Sequence, residues 1–130
     1  MARIALDADI VIAFLDSGDD QHATAVAEPR PRLAAGDELL VAATVYAETI
    51  VRPLQQRTDR TVDAFFDAAG SSIVPIDRAI ARRAAGLRVA HQSLRLPDAM
   101  SLATAIATDS ALLTLDKKLR QIARRLQPPS

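Results

Sequence analysis

The sequence has no cysteine and no tryptophan, a single tyrosine, three phenylalanines and only four glycines. Without a thiol, disulfides, zinc–thiolate sites and cysteine nucleophiles are excluded. A cysteine-free chain also suits a reducing compartment. The few aromatics, Phe14, Tyr46, Phe65 and Phe66, do not indicate a platform for stacking nucleobases. Gly18, Gly36, Gly70 and Gly86 are too scattered to build a phosphate-cradling loop. No apolar run approaches the roughly 20 residues of a membrane span. The N-terminus lacks the basic, apolar and small-residue segments of a signal peptide. A soluble, cytoplasmic protein is therefore expected. His22 and His91 have no activated-serine turn nearby, which leaves no basis for a Ser–His–Asp triad.

What is present is globular: 130 residues, 49% hydrophobic and 25% charged. That length suits one domain, residues 1–130, with one real core. The net charge of zero is unevenly distributed. Residues 1–77 carry a balance of −7 and residues 78–130 a balance of +7. Two readings are open: a carboxylate site beside an anion-binding surface, or arginines (Arg82, Arg83, Arg88, Arg120, Arg124 and Arg125) on solvated helix faces.

Short apolar runs alternate with helical patterns. "RIAL" at the start, "DELLVAA", "SIVPI" and "ALLTL" read as four strands. "DIVIAFLD" and "DDQHATAVAE" read as helices, the second closed by a "PRPR" turn at 29–32. Thr44 is placed to cap the helix "VYAETIVRPLQQ", which Pro53 is expected to kink or end near Arg52. "DRTVDAFFDAAG" is a helix stopped by Gly70, and Asp77 caps the helix that follows it. In "DAMSLATAIATD", Ala99, Leu102, Ala103 and Ile106 recur at helical spacing, and "DKKLRQIARRL" is a last helix. Strands alternating with helices predict a three-layer α/β/α fold on a parallel sheet with right-handed crossovers. In such sheets ligands bind at the carboxyl edge, where strand order reverses.

Four acidic residues fall on that edge. Asp7 follows the first strand and Asp116 the fourth; Glu48 lies one turn into the helix after the second; Asp98 starts the helix leading toward the fourth. Each has a simpler reading. Asp7 and Asp116 would cap helices, Asp98 would be a first-turn acid, and Glu48 would pair with Arg52 four residues on. Together, four carboxylates on one edge are stable only if protonated or gathered around a divalent cation. Oxygen ligands without His or Cys favour Mg²⁺ or Mn²⁺ over zinc. Asp9 is either a fifth ligand or a helix-start acid.

The blocks "IALDADIVIAFL", "VAATVYAETIVRP", "LPDAMSLATAIA" and "LLTLDKKL" resemble, in order and spacing, those of PIN domains. The closest likeness is to the VapC-type toxins of bacterial toxin–antitoxin pairs, and it spans about residues 3 to 120. The resemblance implies that Asp7, Glu48, Asp98 and Asp116 form the acidic quartet, with Thr114 as an accompanying hydroxyl. It further implies strand order 3-2-1-4, often with a fifth strand, and a Mg²⁺- or Mn²⁺-dependent ribonuclease acting on an RNA substrate. A homodimer and a cognate antitoxin partner belong to the same expectation. Two departures stand out: Asp9 replaces the Ser, Thr or Asn of many relatives, and "RRLQPPS" offers no convincing fifth strand.

Two rivals remain. "LDAD" after a strand imitates the D-x-D of haloacid-dehalogenase-like phosphatases, in which Asp7 would attack phosphorus and Asp9 serve as acid and base. The chain, however, lacks that family's glycine-rich flap. The other rival is a non-catalytic PIN-like binding module with an inert acidic pocket.

Overall fold

Strand β1, Arg3–Leu6, buries Ile4 and Leu6 on one side and Ala5 on the other, the pattern of a central strand covered on both faces. In the computed structural model, which describes residues 2–127, it is flanked by β2 (Glu38–Ala42) and β4 (Ala111–Leu113). β3 (Ser72–Val74) pairs with β2, so the order is β3-β2-β1-β4, all parallel. Register places Ile4 opposite Leu39 on one side and Ala111 on the other. The predicted order 3-2-1-4 is the observed one. A fifth strand after Gln127 would fall on residues 128–130, outside the described residues.

Eight helices connect the strands among the described residues: α1 Ala8–Leu15, α2 His22–Ala27, α3 Arg30–Ala34, α4 Ala43–Gln56, α5 Asp59–Ala68, α6 Arg78–Ala90, α7 Leu96–Ala107 and α8 Lys117–Leu126. Helices α1, α4 and α5 join β1 and β2 in one apolar cluster around Ile4, Ile10, Val41 and Phe66. Helices α6, α7 and α8 form the other, around Ala84, Leu102, Leu119 and Ile122. The sheet is thus sandwiched between two helical layers, because its alternate side chains supply both cores.

Local chemistry departs from expectation in four places. Within "PRPR" only Pro29 is turn, at the N-cap of α3; Arg30–Arg32 already belong to the helix, with Pro31 in the first turn, where a missing N–H costs no helical bond. Helix α4 runs through Pro53 to Gln56; the proline forfeits only a bond four residues before Arg57 ends the helix at φ 60°. Thr44 does not cap that helix. Ala42 occupies the N-cap, and Thr44 Oγ1 is buried without a hydrogen-bond partner. Arg52 reaches Asp16 at 3.9 Å, away from a pairing with Glu48.

Asp77 caps α6 as expected, accepting from the Ile80 amide at 2.8 Å. Helix α8 buries Leu119, Ile122 and Ala123 and turns Lys117, Lys118, Arg124 and Arg125 to solvent. Arg82, Arg83 and Arg88 on α6 are likewise exposed, whereas Arg120 is half-buried.

Candidate active site

β1 ends at Leu6, and the next residue turns the chain from the sheet into α1. That residue is Asp7. Its extended backbone (φ −76°, ψ 161°) and its carboxylate, accepting from the Ala8 amide at 3.0 Å, make it the N-cap of α1. The cap does not exhaust it. Ser101 Oγ of α7 donates to the same oxygen, Oδ1, at 2.9 Å, and Thr114 Oγ1 after β4 donates to Oδ2 at 2.9 Å. Asp7 is therefore held from three segments that meet only in the folded chain. It is 4% exposed.

Thr114 links the neighbouring acids. Its hydroxyl also lies 3.1 Å from Asp9 Oδ2, and it accepts from the Asp116 amide at 3.1 Å. One hydroxyl proton serves two carboxylates, so it satisfies one at a time. Asp9 Oδ2 gains a second donor in the Leu115 amide at 3.1 Å. Asp9 thereby ties the start of α1 to the loop after β4, besides lying in the first turn of the helix. Asp116 caps α8, accepting from the Leu119 amide at 3.1 Å through Oδ1.

Asp98 is not the first residue of α7. The helix begins two residues earlier, at Leu96, with Arg95 as N-cap and proline in the first turn. Asp98 thus lies in the first turn, where the amide dipoles favour an anion. It is buried on the site side and takes the Arg95 guanidinium at 3.3 Å. Glu48 projects from α4 and is exposed.

Electrostatics show that these acids share one neighbourhood. Burial pushes the Asp7 carboxyl from its ordinary 3.8 up to about 6, with the Asp9 charge adding to it and the Thr114, Ser101 and Ala8 donors opposing. Glu48 is raised by partial desolvation and then by the charge of Asp98, Asp9 acting in the same sense and Arg95 against. Asp98 is raised by burial, opposed by Arg95, with Asp116 and Asp9 adding repulsion. Asp9 thus acts on Asp7, Glu48 and Asp98 alike.

The acids approach without closing. Among the described residues no three acidic or histidine side chains form a ready-made cation cage. Asp7 has a hydroxyl on each oxygen, Asp98 carries Arg95, and one oxygen of Asp116 is committed to its helix. The donor chemistry nevertheless fits a hard divalent ion: oxygen ligands alone, with Glu48 and Asp98 close enough that the charge of Asp98 disfavours that of Glu48. His22 takes no part, its Nδ1 lying 2.8 Å from the Ala13 carbonyl.

Two of these contacts were not anticipated. Ser101 is three residues beyond Asp98 on one helix, and a hydroxyl on the buried side of an apolar helix was the available signal. Arg95 carried none, since its pairing depends on where α7 begins.

The fold and the sequence both have counterparts. VapC20 of Mycobacterium tuberculosis, a sarcin–ricin loop cleaving toxin, is similar with a TM-score of 0.71 at 19% identity, over 92% of this chain and 94% of that one. A toxin–antitoxin complex from Klebsiella pneumoniae contains a chain similar at TM-score 0.70 and 25% identity, with 88% of each covered. VapBC2 of Rickettsia felis, solved bound to a DNA fragment from its promoter, gives 0.68 at 16% identity, over 96% and 92%. None of the curated proteins compared with this chain matches it significantly. The PIN-domain family model matches residues 4–125, from the strand that carries Asp7 to the last helix. The chain belongs to the PIN-domain family.

Proposed function

We propose that this protein is a divalent-cation-dependent endoribonuclease and the toxin of a toxin–antitoxin pair. One observation carries the reading: a PIN-family chain in which Asp7, Glu48 and Asp98 follow the sheet edge as three carboxyls held above their ordinary range, with Asp9 acting on all three and Asp116 on Asp98. The similarity to a toxin of one bacterium, to a chain of a toxin–antitoxin complex from a second and to VapBC2 of a third supports the biological role.

Asp7, Asp98 and Asp116 would hold the ion, with Glu48 binding it or orienting the attacking water. Mg²⁺ or Mn²⁺ there would polarise the scissile phosphate and acidify a water at neutral pH. Ser101 and the Ala8 amide hold one Asp7 oxygen, and Thr114 shares its proton between the other and Asp9, so the central carboxylate needs little reorganisation. Arg95 donates to Asp98, so a cation held there would compete with its guanidinium for that carboxylate. Exposed arginines on α6 supply salt-sensitive attraction for the RNA backbone. A cytoplasmic location, a homodimer and a cognate antitoxin that silences the site complete the proposal.

The phosphatase reading is not favoured: the chain belongs to the PIN family and has no glycine-rich flap after β1 to close over a phosphoryl group. Aspartyl-phosphate trapping on Asp7 should fail. Cleavage of a panel of structured RNAs with Mg²⁺ or Mn²⁺, by wild type, Asp7→Asn and Asp98→Asn, tests the nuclease. Activity that survives both substitutions overturns the nuclease assignment, and activity absent with every ion tried leaves the binding-module reading in its place.

A further inference from the structure

Strand β4 is an edge strand, and its outer side is not left bare. The Asp7 amide donates to the Leu113 carbonyl at 2.9 Å, so the backbone groups of Ala111 and Leu113 face β1. Those of Ser110, Leu112 and Thr114 therefore face outward, by the alternation of a strand. In a parallel ladder one residue of the neighbouring strand donates to one such carbonyl and accepts from the amide two residues on. The Gln127 carboxamide makes that pair of bonds: Nε2 donates to the Ser110 carbonyl at 2.6 Å, and Oε1 accepts from the Leu112 amide at a long 3.4 Å. Further along, Arg120 Nη2 donates to the Thr114 carbonyl at 2.7 Å. Between these two side-chain plugs lie the Leu112 carbonyl and the Thr114 amide, the next acceptor–donor pair of the edge.

Beside this edge runs a groove of about 770 Å³, bounded by the ends of α2, α7 and α8. Its walls include Arg3, Arg32, Arg120 and Arg124, but also Glu28 and Asp109. Arg3 is bonded to Glu38 and Arg32 to Asp37. The positive charge not matched in this way lies on α8, at Arg120 and Arg124. A phosphate backbone would want a continuous cationic track, which Glu28 and Asp109 interrupt. A single extended peptide with an acidic side chain on its α8 side fits both the ladder groups and the charge.

We propose that the outer edge of β4 is a strand-addition site, which takes an extended acidic segment of a partner protein as a fifth strand and for which Gln127 is a displaceable stand-in. Main-chain bonds to Ser110, Leu112 and Thr114 supply affinity, and Arg120 and Arg124 supply the preference for acid. The proposal is independent of the nuclease reading.

The test uses the full chain, ¹⁵N-labelled, and two capped hexapeptides: alternating Val and Glu, and alternating Val and Lys. The Val–Glu peptide should bind saturably below about 1 mM and slow hydrogen exchange at the Leu112 and Thr114 amides. Gln127→Ala removes the competitor and should tighten binding several-fold; its circular dichroism establishes that it folds. Arg124→Glu, on the solvent-facing side of α8, should shift preference toward the Val–Lys peptide. No saturation, protection confined to other amides, or weaker binding by folded Gln127→Ala would overturn the proposal. So would a short RNA oligonucleotide that shifts the same amides and displaces the peptide.

Discussion

Ser101 Oγ donates to Asp7 Oδ1 at 2.9 Å, joining the end of β1 to the second turn of α7 across 94 residues of sequence. The bond offsets part of the desolvation that raises the Asp7 carboxyl. Ser101→Ala should therefore leave Asp7 harder to ionise and its oxygen free to reorient. We expect about a tenfold lower cleavage rate, roughly the value of one hydrogen bond to a charged group. The half-saturating Mg²⁺ concentration should rise as well. A rate and Mg²⁺ dependence equal to wild type would assign Ser101 to packing alone.

The elevated Asp7 carboxyl has a definite consequence for stability. Its pKa is higher in the native state, about 6 against an ordinary 3.8, so the native state holds the proton more tightly. Its contribution is fully present below about pH 4, is lost as pH rises toward 6, and stays lost above. Two units correspond to about 3 kcal/mol. In chelator, Asp7→Asn should be more stable than wild type at pH 7.5 by about 1–3 kcal/mol, with the difference shrinking at pH 4.5. Urea unfolding at both pH values checks this. A variant no more stable at pH 7.5 would contradict the burial argument.

Cation binding should reverse that penalty. Any ligand of the native state alone stabilises by mass action, about 1.4 kcal/mol at ten times its dissociation constant. Mg²⁺ or Mn²⁺ should raise the melting temperature more at pH 7.5 than at pH 5, because protons compete for Asp7. Asp98→Asn and Asp116→Asn should lose most of the increase. Equal shifts in wild type and both variants would place the ion elsewhere.

Arg95 occupies the position a cation would compete for. Its side chain is 76% exposed, so its ion pair with Asp98 contributes little stability, below about 1 kcal/mol. Removing it should instead ease cation entry. Arg95→Ala is expected to bind Mn²⁺ several-fold more tightly than wild type in calorimetric titration, with nearly unchanged unfolding in chelator. Weaker Mn²⁺ binding would mean that Arg95 organises the site and does not guard it.

Much of the architecture was written locally. Four apolar runs, each between helical patterns, were enough to predict a parallel sheet, and the order β3-β2-β1-β4 followed the expected family arrangement. Asp77 as a cap and the buried face of α8 were equally legible, because caps and amphipathic faces depend on residues within a few positions. The errors were also local rules, outweighed by context. Pro53 was expected to kink or end α4 near Arg52; it does not end it, because a proline close to a helix end costs one bond and the helix keeps it to Gln56. Thr44 was expected to cap, yet Ala42 is where the chain leaves the sheet.

The sequence by itself determined which chemistry is available: acids without thiols, and Asp7, Glu48, Asp98 and Asp116 each beside a strand end or in a helix's first turns. Only the tertiary structure decided how they are held. Ser101, Thr114 and Arg95 meet their carboxylates through contacts spanning 94 residues, 107 residues and one turn of a helix whose start was misplaced. Asp9 shows the difference most clearly. In sequence it is a first-turn acid two residues after Asp7; in the fold it shares the Thr114 hydroxyl and acts on three neighbouring carboxylates. Spacing along a chain fixes a face, but charges interact through distance and burial, and only the packed sheet sets those.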